Sequence, residues 1–239
     1  MEPFEIFNGF SQVVFVAIVW IVGIKIASKY IKLEERNLLF VGMVWIGLSE
    51  PWFATVVAFL LAFFLGISTS VEIFLIIGFA FTPITMFLWI FVITDFIYKE
   101  KQKIILILVM IFGVLFETIF FYFVIVQPSV LAEMISPWRI VFKLPIQLWI
   151  ITLLVIFAVT SAFFCRDSLR SDNPKIRLKG RFLLLAFITY IIGGILEAFY
   201  TPFIFMIIIK RLITIIASIE FYFGFILPER VEKFFLKTK

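Results

Sequence analysis

Glu50, Glu117 and Glu197 each stand inside an otherwise apolar run, where an ionisable side chain needs a reason to be. At the centre of a membrane span such a group costs roughly 2.5 to 3.5 kcal/mol in the worst cases, so its presence points to a site. Counted from the basic residues Arg36, Lys103 and Arg181, each glutamate is reached after about four helical turns, on the order of 20 Å along the axis. The three would share one layer. Lys210 and Arg211 descend to a similar level from the opposite direction, and Lys143 and Gln147 approach it. Carboxyls facing cations lower each other's cost of burial, so this layer is expected to form a polar pocket for a small ligand or cation. Pro51 directly follows Glu50 and deprives the Gly47 carbonyl of its helical donor, which leaves open backbone of the kind that lines ligand and ion sites. Trp52, Phe53, Phe199 and Tyr200 would supply an aromatic rim. The structural alternative is that the glutamates bond neighbouring helices and that Lys210 and Arg211 snorkel to the interface.

Further down, Glu220 lies near Ser218 and Tyr222 and suggests a transmission element or proton path, with Pro83 as a kink in the same machinery. Asp95 stands one turn before Lys99 and reads as an ordinary i,i+4 pair; Glu72 reads as an outer-surface residue.

Much chemistry is excluded. With no histidine, imidazole metal sites, haem ligation by imidazole and His-based catalytic dyads are absent. Cys165 is the only cysteine, reads as a packing thiol and can form no intrachain disulfide. No paired-aspartate or Ser-Lys arrangement is present, so no catalytic residue, metal or cofactor is expected and the chain does not read as an enzyme.

The elements that must position these residues follow from composition. Of 239 residues 64% are apolar, 34 are Phe and only 15% are charged, more apolar surface than a soluble domain of this size buries. Apolar runs of about 20 residues, enough to cross a hydrocarbon core, recur along the chain. Helices are expected near 8–30, 37–65, 70–98, 104–126, 141–165, 174–200 and 203–227, followed by a short amphipathic tail at 228–239. Asn173 before Pro174 is a strong helix start. The residues Met1 to Phe10 carry Glu2 and Glu5 where a secretory signal would be basic, so the first run reads as a retained helix. The expected architecture is one all-α integral membrane domain, a seven-transmembrane-helix bundle.

All 21 basic residues except Arg139, Lys143, Lys210 and Arg211 fall on one side of that layout. By the positive-inside rule this puts the N-terminus outside and the C-terminus in the cytoplasm. The net charge of +5 then reflects anionic lipid, and nucleic acid is not implied as a partner. The outward runs share Gly47-Leu-Ser-Glu50, Gly113-Val-Leu-Phe-Glu117 and Gly194-Ile-Leu-Glu197, and the inward runs share Pro83-Ile-Thr with Trp89 and Pro145-Ile-Gln with Trp149. This is a weak repeat that chance could also produce.

The stretches Asn173-Pro-Lys-Ile-Arg-Leu-Lys-Gly-Arg-Phe182 and Phe221-Tyr-Phe-Gly-Phe-Ile-Leu-Pro-Glu229, with the layout, resemble uncharacterised archaeal seven-transmembrane-helix proteins and, more distantly, seven-helix sensor regions of histidine kinases. The resemblance implies a receptor-like or sensory protein that binds a small ligand from outside. A cytoplasmic partner would then read the basic loop Arg166 to Arg181. Within these 239 residues there is no output domain, a departure from the kinase arrangement. A small-solute or proton-coupled transporter uses the same carboxyls differently, and only Pro145 and Gln147 echo the PQ-loop sugar carriers. A retinal protein fits less well, since Lys210 sits near the outer end and Met206 stands where an acidic partner would be needed.

Overall fold

Apolar residues without helix-breaking chemistry give long helices, and the prolines decide where they are interrupted. The protein is described here by a computed structural model, covering residues 2–198 and 203–236. The helices are α1 (Pro3–Ser28), α2 (Tyr30–Leu33), α3 (Arg36–Gly47), α4 (Glu50–Leu65), α5 (Val71–Phe79), α6 (Thr82–Ile97), α7 (Gln102–Val126), α8 (Leu144–Leu169), α9 (Pro174–Ala198), α10 (Ile204–Ile226) and α11 (Glu229–Leu236). Between α7 and α8 lies an antiparallel hairpin, β1 (Ala132–Ser136) and β2 (Arg139–Phe142), with Glu133 opposite Val141.

Five of the described helical segments are long and apolar enough to cross a membrane, and six if α3 and α4, bent by 50°, count as one span. The 23 residues of α10 include Lys210, Arg211 and Glu220, which lower the apolarity of that helix.

Four expectations change. The run 37–65 is two helices because Pro51 cannot donate to the Gly47 carbonyl. The run 70–98 holds as one 27-residue apolar span, Val71–Ile97, but its helical ladder is interrupted between α5 and α6 ahead of Pro83. The helix expected from 141 begins at Leu144, since Val141 belongs to β2, and runs on to Leu169. With α9 starting at Pro174, most of the stretch Arg166 to Arg181 is helical and not loop. Asn173 caps α9 as expected, its Oδ1 accepting the Lys175 N–H at 2.9 Å.

The core is aromatic. Trp45 stacks on Phe221 at 3.8 Å between ring centroids, and Trp89, Phe157, Phe187 and Phe221 pack edge to face or tilted around it. Small residues let backbones meet: a Cβ on Gly23 of α1 would lie 2.8 Å from the Gly42 carbonyl oxygen of α3. At one end the Thr69 N–H donates to the Pro137 carbonyl, which ties the α4–α5 loop to the hairpin tip. At the opposite, basic end Lys175 pairs with Glu232 at 2.7 Å and holds α11 against α9, leaving Phe234 exposed.

Candidate functional site

The two helix breaks lie side by side, and their freed backbone groups are satisfied by specific side chains. Pro83 has no N–H for the Phe79 carbonyl, so the Thr82 hydroxyl donates to it at 2.8 Å. The Phe81 N–H, also out of the helical ladder, donates to Glu50 Oε1 at 2.7 Å. In the other break the Leu48 carbonyl accepts the Tyr190 hydroxyl at 3.0 Å, and Trp20 Nε1 donates to Ser49 Oγ at 3.1 Å. Gly47 sits flush against the Thr85 side chain, so the breaks touch directly. Two tryptophans bond reciprocally across α6 and α8: Trp149 Nε1 donates to Thr82 and Trp89 Nε1 to Thr160.

These breaks form one wall of a cavity of about 770 Å³, within the roughly 300 to 1,000 Å³ usual for small-molecule sites. Leu48, Thr82 and Thr85 line that wall, α1 contributes Asn8 and Gln12, and α8 contributes an apolar face that includes Leu154 and Phe157. The hairpin covers the far end. Its tip residue Trp138 is buried at 1% exposure with its ring 5.4 Å from Phe59, like a cork between α4 and α5.

The cavity's charged floor comes from α9 and α10. Arg211 Nη1 donates to Glu197 Oε1 at 2.7 Å, and the guanidinium also lies 5.9 Å from the Phe15 ring. Lys210, one residue earlier, lines the same space. Four buried polar atoms on the lining residues have no protein partner: Asn8 Oδ1, Gln12 Oε1, Trp138 Nε1 and Arg211 Nε. Buried polar atoms normally find a partner; of the ten without one among the described residues, these four are on the chamber's lining residues.

The structure divides the expected layer. Glu197, Lys210, Arg211, Trp52 and Gln147 all line the cavity, Trp52 packing edge-on to Phe15 and Tyr190. Glu50 is buried behind the wall at the α5–α6 break, and Glu117 of α7 approaches the same break from the far side, one turn past Gly113, which packs on Pro83. Glu50 and Glu117 are near enough to interact electrostatically, and each keeps one buried oxygen without a partner. A single hollow holding all three carboxyls is therefore not what the fold builds; Pro83 serves this break.

Glu220 faces Thr189 on α9, away from the cavity. Phe53 packs on Trp20. Lys143 pairs with Glu133 across the hairpin at 2.8 Å, whereas Gln147 Nε2 donates to the Phe142 carbonyl. Asp95 meets Lys99 at 3.4 Å as expected and also accepts the Asn37 amide. The rim residues Phe199 and Tyr200, and Lys237 and Lys239 of the tail, lie outside the described residues.

Sequence reasoning passed over Asn8, Gln12, Trp138, Arg139 and Tyr190. The first two carried a signal, polar side chains four apart on one face of an apolar helix. Trp138 and Arg139 carried none, because a hairpin folding back over the bundle leaves no mark in the sequence, and Tyr190 of α9 meets the Leu48 carbonyl only through packing of distant helices.

The fold and cavity define a class: an α-helical bundle with helices of membrane-spanning length and apolarity around a partly polar chamber. Comparison with known proteins gives no matching family model, no matching curated protein and no matching solved structure.

Proposed function

We propose that this chain is a seven-span membrane protein, N-terminus outside and C-terminus cytoplasmic, that binds a small ligand in the chamber beneath the hairpin and acts as a receptor. The span count adds α10 to the six apolar spans, its charges being turned onto the chamber and neighbouring helices. The orientation rests on the bias of Lys and Arg toward the end opposite the hairpin. The observation that carries the binding role is a chamber that holds the Arg211–Glu197 pair and whose lining residues include four with buried, unpartnered polar atoms. Broken spans on the chamber wall give a route for transmission, since Leu48 and Thr82 face the ligand space while α3 and α6 run on to the basic end. There α8 and α9 present the basic surface between Arg166 and Arg181 to a cytoplasmic partner.

The test is a thermal-shift screen on the purified chain, with Glu117→Gln as control. At least one small molecule is expected to stabilise the protein and the control alike, and to lose its effect in Gln12→Leu and in the double variant Arg211→Gln with Glu197→Gln. A stabilising compound indifferent to all these changes, or no stabilising compound at all, defeats the reading.

A second reading, a small-solute transporter, is favoured by the paired breaks themselves. Discontinuous helices beside a polar site are a hallmark of carriers, and Glu50 links one break to the other. Substrate uptake into liposomes that a protonophore abolishes would select it.

A further inference from the structure

The chamber has a chemical bias and a side door. Among the described residues its lining carries Arg139, Lys210 and Arg211 against one carboxyl, Glu197. The cavity thus holds an excess of positive charge in a low-dielectric setting, where an anion gains most. Donors suited to that anion are in place: Arg211 Nε–H and Trp138 Nε1–H are buried and unpartnered. Beside the polar Asn8, Gln12, Thr82 and Thr85, part of the wall is apolar, with Met86, Leu153 and Phe157 among its residues. On one flank, Ile151 of α8 and Ile195 of α9 both line the chamber and remain 55% and 49% exposed. Gly194 sets no side chain between them; a Cβ there would find only Leu154 methyls, at 3.7 and 3.9 Å. In a bundle that spans a bilayer, that flank opens onto acyl chains and not onto water.

We propose that the ligand is a single-chain amphiphile with an anionic head, a carboxylate or phosphate, which enters from the bilayer between α8 and α9, lays its chain along the apolar part of the wall and sets its head on Arg211. This rests on the reading of the chamber as a ligand site and names the ligand class.

The probe is dibrominated stearate, whose bromines quench the fluorescence of Trp52, Trp89 and Trp138 on the chamber wall. Titrated into the full chain in nanodiscs, it is expected to quench saturably and to bind about tenfold or more tightly than the matching brominated alcohol. The double variant Arg211→Gln with Glu197→Gln, which removes both members of the ion pair together, should diminish that preference severalfold while the alcohol still binds. Ile195→Trp should slow the onset of quenching without changing its end point. Equal binding of acid and alcohol, or a preference undiminished in the double variant, overturns the proposal. Acetate or inorganic phosphate competing as well as stearate overturns the bilayer source, and leaves the chamber standing as a site for soluble anions.

Discussion

Glu50 Oε1 accepts the Phe81 backbone N–H at 2.7 Å, so the carboxyl of one broken span closes the break in the next. A glutamate that reads as a ligand contact is thereby committed to the fold. Removing the acceptor leaves a buried donor unsatisfied, which typically costs about 1 to 3 kcal/mol. Glu50→Ala should lower stability by that amount in detergent unfolding followed by circular dichroism. Glu50→Gln keeps an acceptor oxygen and should cost about half as much or less. Equal losses in the two variants would show that the bond to Phe81 contributes nothing.

Thr82 serves two partners, donating to the Phe79 carbonyl and accepting from Trp149. Thr82→Val keeps the shape and strands both, so a loss of about 2 to 4 kcal/mol is expected from two unmet bonds. Trp149→Phe loses only the N–H while retaining much of the stack on Phe116, now at 3.5 Å, and should cost less. The same unfolding measurement on the double variant reads the coupling between them.

Gly42 meets backbone. A Cβ there would lie 2.7 Å from the Ala27 nitrogen, and backbone cannot swing aside as a side chain can. Gly42→Ala is expected to part α1 from α3 and cost about 1 to 3 kcal/mol. A cysteine pair across this seam that still cross-links as readily in the variant would contradict the close approach.

Lys143 bonds the Glu133 carboxyl and holds it below the usual carboxylate range. The hairpin therefore gains from the ionised form above the ordinary carboxylate pKa, and loses that gain as pH falls through the lowered folded value. Because the pair is solvent-exposed, the effect is small. Fluorescence of Trp138 should report more hairpin opening in acid, with a flatter pH profile in Glu133→Gln.

Orientation is checked by labelling. Cys165 is buried at 1% exposure and should stay silent to an impermeant maleimide. Pro137→Cys at the hairpin tip is expected to label on intact cells, and Asp172→Cys between α8 and α9 only after lysis. The reverse pattern would invert the proposed topology.

The sequence alone determined that this chain forms long apolar helices, because composition and run length are local properties that no partner alters. It also marked Asn173-Pro174 as a helix start and Pro51 as a place where the helical ladder fails. The tertiary structure decided what those local facts are for. Equal depth along three helices says nothing of rotation, and side chains a few residues apart in phase point to different neighbours. So Glu50 and Glu117 meet at the α5–α6 break while Glu197 turns into the chamber toward Arg211. The hairpin that drives Trp138 between α4 and α5 was invisible for a similar reason. A cavity is the space left between elements, and it exists only once helices distant in the chain have been packed against one another.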